Sequence, residues 1–173
     1  MVSKRIRVAD QISNELFGAT DGTISTLAVV AGVWAATSNP FFALVGGISA
    51  MTAEALSMGF SSYIAAGTRE TILKTNGKKK REEVIKNALL FWGVTMGGGF
   101  VPLVPFVLKF PSPLMFSLLF SVVFLFLMGV HSAKYTKQNP SVAGLKIMVV
   151  GLIATLVTYS VGYAFSLIAP PFG

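Results

Sequence analysis

The stretch FFALVGGISAMTAEALSMGFSSYIAA, residues 41–66, decides the fold. Glu54 is its one charged residue, and as an α-helix the stretch would rise about 39 Å, enough to cross the roughly 30 Å hydrocarbon core of a bilayer. Four further stretches have similar length and polarity. The sequence therefore predicts an all-α integral membrane bundle in a single transmembrane domain, residues 1–173, with five transmembrane helices at about 16–37, 41–66, 86–108, 113–133 and 142–168.

The composition agrees with a membrane protein and argues against an enzyme. Hydrophobic residues make up 53% of the chain and charged residues 12%, whereas soluble domains carry about 25% charged residues. The chain has no cysteine, which excludes disulfides and thiolate metal sites, and it has one histidine. No motif pairs a nucleophile with a base, so we expect no catalytic activity.

The basic residues indicate how the helices are oriented. All of them except Lys109 lie before the first span, in or beside the loop at 67–83, or around the connection between the fourth and fifth spans. The positive-inside rule then predicts a cytoplasmic N-terminus and an external C-terminus. We interpret GKKKREE (77–83) as a cytoplasmic loop beside anionic lipid headgroups, with no nucleic acid as partner. RIRVADQISNELF (5–17) is interpreted as an amphipathic, interfacial lead-in to the first helix.

Small residues and prolines predict how the spans pack. Gly18 and Gly22 form a GxxxG pair, and a ridge of small residues recurs every four positions along the second span. Both patterns permit close helix approach, either within one chain or between subunits. Pro102 and Pro105 follow three glycines in the third span, which predicts a bent or broken outer half. The ridge consists of Ser49, Ala53, Ser57 and Ser61.

Two acidic residues, Asp21 and Glu54, fall inside predicted spans. A charge in hydrocarbon costs a few kcal/mol and needs a partner, a proton or a metal ion. No lysine or arginine lies at the depth of Glu54, so a structural ion pair lacks its cation there. Desolvation favours the neutral form of such a carboxyl until a cation arrives. We therefore predict that these acids line a path for a cation.

Helical spacing predicts which residues accompany Glu54. Met51, Met58 and Ser62 lie three, four and eight positions away and would share its face. A methionine in an apolar helix is more often packing than ligand, but thioether sulfur beside carboxylate oxygen suits a borderline ion such as Fe²⁺ better than Mg²⁺ or Ca²⁺. The predicted metal residues are Asp21, Glu54, Met58 and Met51, with Ser62 lining the path.

At these residues the sequence resembles the vacuolar iron transporter family, which includes the yeast vacuolar iron and manganese carrier and nodulin-like transporters. FGATDGTISTLAVVAGV (17–33) and AEALSMGFSSYIAAGTRE (53–70) resemble its paired signature. The resemblance extends more loosely through GGGFVPLVPF in the third span and VHSAKYT at the end of the fourth. It implies a homodimer of five-helix subunits, with an ion path between the first two helices of each subunit.

The resemblance also implies a function. It implies export of Fe²⁺, and often Mn²⁺, from the cytosol by exchange for protons, with no permanent cofactor. Asp21 matches the family's first-span acid and Met58 its second-span methionine. Glu54 matches a position that is acidic in some members and glycine in others, and Ser62 a position that is acidic in many.

This chain departs from the plant and parasite members in the connection between the second and third spans. Those members carry a glutamate-rich metal-collecting domain there, whereas residues 67–83 are short and mostly basic. Capture must then begin at the mouth of the path, where Glu15 and Glu70 are the candidate entrance residues.

Two other functions remain open from the sequence. One is a membrane scaffold or accessory subunit whose carboxyls only pin helices together, and the other is a carrier for Zn²⁺ or Co²⁺. The compact loops predict a prokaryotic cell membrane, with a vacuolar-type membrane as the alternative.

Overall fold

Helices make up nearly all of the described chain. The computed structural model describes the backbone of residues 2–72 and 78–168, and the side chains of residues 12–68 and 82–168. Its helices are α1 (Val2–Thr37), α2 (Pro40–Ile72), α3 (Lys78–Phe100), α4 (Val104–Val107), α5 (Pro113–Thr136) and α6 (Pro140–Ile168), with a 3₁₀ turn at Val101–Leu103.

Within the described part of the chain, five helical stretches are long and apolar enough to cross a membrane. These stretches are Ile12–Thr37, Pro40–Thr68, Glu82–Val107, Pro113–Thr136 and Pro140–Ile168. The predicted all-α bundle of five membrane-crossing helices is thereby confirmed. α1 runs without a break through residues 5–17, the segment interpreted as an interfacial lead-in to the first helix. Residues 2–17 contain neither proline nor glycine, so no residue there stops the helix.

Prolines and asparagines set the starts of the helices. Pro40, Pro113 and Pro140 are the first residues of α2, α5 and α6, a position where a missing N–H costs no hydrogen bond. The Asn39 side-chain oxygen accepts a hydrogen bond from the Phe41 N–H at 2.9 Å, and Asn139 does the same at the start of α6. These side chains satisfy N–H groups that the first helical turn leaves unpaired.

The third span is broken near its C-terminal end, at the prolines that predicted a break. Its α-helix ends at Phe100, a 3₁₀ turn follows, and α4 resumes at Val104. The buried Ser117 hydroxyl of α5 donates a hydrogen bond to the Pro102 carbonyl oxygen at 2.7 Å. This bond satisfies irregular backbone inside the protein, the setting in which a membrane protein tolerates it.

α1 packs against α2, α3, α5 and α6 and is the central helix of the bundle. Its approach to α3 is very close, because a Cβ added at Gly98 would collide with the Ala19 carbonyl and one at Gly22 with the Thr95 carbonyl. The Thr23 hydroxyl lies 2.9 Å from the Gly98 carbonyl oxygen. The Gly18–Gly22 pair therefore serves packing within the chain, since both glycines face α3.

The small-residue ridge of α2 has the opposite environment. Ser49, Ala53, Ser57 and Ser61 are all exposed on the surface of the single chain. Large apolar side chains beside the ridge are exposed too, including Leu56 at 45% and Phe60 at 65%. This face of α2 is therefore available either to lipid or to a second copy of the chain.

Candidate metal site between the first two helices

The structure brings the two acids of the spans together. Asp21 of α1 and Glu54 of α2 interact directly through their carboxyl groups, and both residues are half-buried. The Ser25 hydroxyl donates a hydrogen bond to Oε2 of Glu54, and its oxygen lies 2.9 Å from the Asp21 backbone carbonyl oxygen. Ser25 follows Asp21 by four residues, so both side chains leave α1 on the side that faces α2.

Among the described residues, the carboxyl pair has a hydrogen-bond donor beside it but no positively charged partner of Glu54. Within residues 12–68 and 82–168, the recorded side-chain partners of Glu54 are Ser25 and Asp21, and neither carries a positive charge. Two adjacent carboxyl groups in a poorly solvated site repel one another when both are ionised. They need a proton or a cation between them, and a divalent cation neutralises both at once.

Met58 and Ser62 continue this site along α2. Together with Glu54 they are half-buried at intervals of four residues, and the neighbouring residues Ser57 and Ser61 are exposed. The three side chains form a half-buried stripe between the covered face of α2 and its exposed ridge. We call Glu54, Met58 and Ser62 the α2 stripe. It leads from the carboxyl pair towards the end of α2 that joins the basic loop.

Met51 lies elsewhere. Its side chain is 7% exposed and packs in a hydrophobic core cluster with Val30 and Leu103. Its Cγ lies 2.7 Å from the position that a Cβ on Gly99 would occupy, so it fills space left by α3 glycines. The structure therefore places Met51 in the packing role that methionine has most often, off the α2 stripe.

The structure describes the side chain of one of the two predicted entrance residues. Glu15 of α1 is half-buried and lines a pocket between α1, α3 and α5. The side chain of Glu70 lies outside the described residues. The pocket is on the side of α1 that faces α3, whereas Asp21 faces α2.

One contributor to the site was missed by the sequence analysis. Ser25 belongs to the quoted signature, and its position one turn after Asp21 was a usable signal. Serine side chains in membrane helices commonly bond to the backbone of their own helix. The hydrogen bond from Ser25 to Glu54 could therefore be predicted only with the knowledge that α1 packs against α2. Among the described residues, no group of three or more His, Cys, Asp or Glu side chains converges on one point. Within the described residues, one chain therefore contributes two carboxyl groups to this site, those of Asp21 and Glu54.

The sequence profile of the VIT family matches residues 12–88 and residues 76–163, which together cover most of the chain and include most of α1, all of α2 and the carboxyl pair. The chain belongs to the VIT family. The matched stretches span all five membrane-crossing helices, except for the C-terminal end of the fifth beyond residue 163. The resemblance noted in the first two spans is confirmed as family membership.

Relatives within and around this family differ in length. An uncharacterized protein of Methanocaldococcus jannaschii is 27% identical over 86% of each chain. The vacuolar iron transporter of Plasmodium falciparum is 35% identical over 43% of this chain and 26% of its own length. Vacuolar iron transporter 1 of Arabidopsis thaliana is 28% identical over 47% of this chain and 33% of its own length. The matched part of this chain thus spans about a third or less of those two VIT proteins.

Proposed function

We propose that this VIT protein is a transporter that exports Fe²⁺, Mn²⁺ or both from the cytosol in exchange for protons. The observation that carries the proposal is the contact between Asp21 and Glu54 inside two membrane-crossing helices, with Ser25 as hydrogen-bond donor. The names of the Plasmodium and Arabidopsis relatives support iron as cargo. Fe²⁺ also suits the mixture of carboxylate oxygen and the Met58 sulfur.

The proposed cycle follows from the charge of the carboxyl pair. A hydrated ion enters from the cytoplasm along the α2 stripe and displaces the protons of Asp21 and Glu54. The Ser25 hydroxyl stabilises the ionised Glu54 carboxylate, and Met58 replaces part of the hydration shell. When the site opens outward, protons from the external side neutralise the carboxyls and release the ion. Exchange follows because the pair is stable when neutralised by either kind of cation.

We further propose that the path lies at a homodimer interface. A transition-metal ion takes four to six ligands, and one chain supplies two carboxyl groups and the Met58 thioether. A two-fold axis beside α2 would double this set. The exposed ridge of Ser49, Ala53, Ser57 and Ser61 supports this arrangement, because the α2 stripe borders it and small residues allow close helix approach.

The orientation and the membrane are also part of the proposal. The basic residues favour a cytoplasmic N-terminus and an external C-terminus. The length match with the M. jannaschii protein supports a prokaryotic cell membrane, since that relative is covered over 86% of its length.

The test is metal flux into proteoliposomes that contain an encapsulated metal-quenched dye. We expect Asp21→Asn and Glu54→Gln to abolish Fe²⁺ and Mn²⁺ flux, and Met58→Ala to reduce it. The matched controls are Glu82→Gln and Met115→Ala, because both side chains are exposed and belong to α3 and α5 and not to the two helices that carry the site. Wild-type flux in both carboxyl variants would refute the proposal.

The same liposomes test two alternatives. The hydrogen bond between Ser25 and Glu54 fits a scaffold whose carboxyls only join α1 to α2, and this function predicts no flux in the parent protein. A carrier for Zn²⁺ or Co²⁺ predicts that these ions compete out Fe²⁺ and Mn²⁺. Flux with each metal alone and in mixtures separates the three functions.

A further inference from the structure

A second group of metal-ligating side chains lies away from the carboxyl pair. A cavity of about 200 Å³ opens between α1, α3 and α5. Its polar lining consists of Glu15 from α1 and His131 and Tyr135 from α5, with the thioether of Met128 beside them. Apolar residues of α1 and α3 complete the wall. At about 30 Å³ for each water molecule, the cavity has room for an ion with several waters.

The residues of α5 are spaced to act together. Met128, His131 and Tyr135 follow one another at intervals of three and four residues, so they share one face of the helix. The rings of His131 and Tyr135 meet edge to face, with centroids 5.4 Å apart and planes at 65°. Both side chains are exposed, so the two rings lie together at the open edge of the cavity. Glu15 adds a carboxylate from the neighbouring helix, so the donors come from two elements of the bundle.

The donor set favours a particular class of ion. An imidazole nitrogen, a carboxylate oxygen and a thioether sulfur together suit first-row transition metals, whereas Mg²⁺ and Ca²⁺ prefer oxygen ligands alone. The phenol oxygen of Tyr135 and water can complete the coordination. His131 is the single histidine of the chain.

The cavity is separate from the carboxyl pair. Glu15 precedes Asp21 by six residues, which places it about 9 Å along α1 and about 120° around the helix. Glu15 lines the cavity with α3 and α5, whereas Asp21 meets Glu54 of α2. The cavity also lies at the N-terminal end of the first span, the end at which the basic loop joins α2 and α3.

From this geometry we infer that the cavity is a second binding site, for a divalent first-row transition-metal ion held by His131 and Glu15 with Met128 as a further donor. The site lies within one subunit, and its occupancy does not require the proposed transport. In the transporter it would hold metal on the side of the membrane that carries the basic residues.

The single histidine allows a direct test. The chain is prepared without a tag and labelled with ¹⁵N-histidine. It carries Asp21→Asn and Glu54→Gln, which remove the carboxylates of the first site. The labelled protein is then titrated with Co²⁺ in detergent. We expect one Co²⁺ to bind and the imidazole ¹⁵N signals to move by the large paramagnetic shift of a coordinated ring. An unshifted imidazole at saturating Co²⁺ would overturn the inference, whatever the transport assay shows.

Variants in the same background measure the affinity. We expect His131→Asn and Glu15→Gln each to weaken Co²⁺ binding about tenfold or more, the scale seen when metal sites lose a supporting group. Ser132→Ala is the matched control, because it is adjacent on α5 and outside the cavity lining. Equal affinity in all three variants would contradict the inference. If His131→Asn does not fold, Glu15→Gln and the ¹⁵N signals of the unaltered histidine still decide it.

Discussion

The Ser25 hydroxyl gives the sharpest test of how the carboxyl pair works. Ser25 donates to Oε2 of Glu54 and is half-buried, so Ser25→Ala removes one donor while leaving both acids in place. A hydrogen bond to a charged group contributes about 1.5–3 kcal/mol, and one between neutral groups about 0.5–1.5 kcal/mol. The hydroxyl therefore stabilises the ionised carboxylate by about 1–2 kcal/mol more than the neutral acid.

That difference sets the expected change in metal affinity. Metal binding requires ionised Glu54, so Ser25→Ala should weaken apparent binding by roughly 5–30-fold, at about 1.4 kcal/mol for each factor of ten. Because the carboxyls and Met58 remain, we expect the KM for Fe²⁺ or Mn²⁺ to rise while kcat changes little. The assay is initial flux into proteoliposomes over a range of metal concentrations at constant pH.

A matched control separates this effect from the loss of any serine. Ser160→Ala in α6 also removes a hydroxyl, but that hydroxyl donates to the Leu156 carbonyl at 2.8 Å and is exposed. We expect wild-type KM in this variant. An unchanged KM in Ser25→Ala would show that the hydroxyl does not support an ionised Glu54, and the proposed cycle would lose its donor.

Three further predictions concern the packing on which the site depends. Gly98→Ala should lower the free energy of unfolding in detergent by about 1–3 kcal/mol, because its Cβ would collide with an α1 carbonyl. Gly97→Ala is the control and should be nearly neutral in the same unfolding assay, because its Cβ would meet open space. Ser117→Ala should cost about 1–3 kcal/mol by orphaning the carbonyl at the break in the third span, and Ser121→Ala should cost less because its buried hydroxyl has no recorded partner. Ala53→Trp on the exposed ridge of α2 should lower both the dimer fraction by cross-linking in liposomes and the metal flux, and a dimer fraction equal to wild type would contradict the proposed interface.

Hydropathy and proline positions predicted the elements of this fold because they act locally. The apolar runs set five membrane-crossing helices, and Pro102 and Pro105 set the break in the third. The continuous start of α1 escaped prediction, since a polar but unbroken helix and an interfacial lead-in have similar sequences. The charge and polarity of such a segment indicate whether it lies in water, at the interface or in lipid. They do not determine whether the helix continues through it.

Helix faces were harder to predict than helix positions. In a membrane the apolar residues do not select the buried side, because lipid and protein interior are similarly apolar and steric fit decides the pairing. The sequence left open whether the Gly18–Gly22 pair faced another subunit, and the structure turns it towards α3. The glycines of α3 also explain Met51, since its side chain fills the space beside Gly99 instead of following Glu54.

The arrangement around α1 connects this packing to the proposed chemistry. One side of α1 is held tightly to α3, where the Thr23 hydroxyl meets the Gly98 carbonyl and no side chain separates the two backbones at Gly98. The side towards α2 instead carries Asp21 and Ser25, which meet a half-buried acid at the edge of an exposed helix face. At Gly47 of α2 the close contact is instead with the Val30 side chain of α1, which can change its rotamer, so in the proposed transport cycle α2 can move against α1 without breaking a backbone-to-backbone contact of this kind. The glycine-rich α3 serves in this scheme as the fixed support that keeps Asp21 in position while the ion passes.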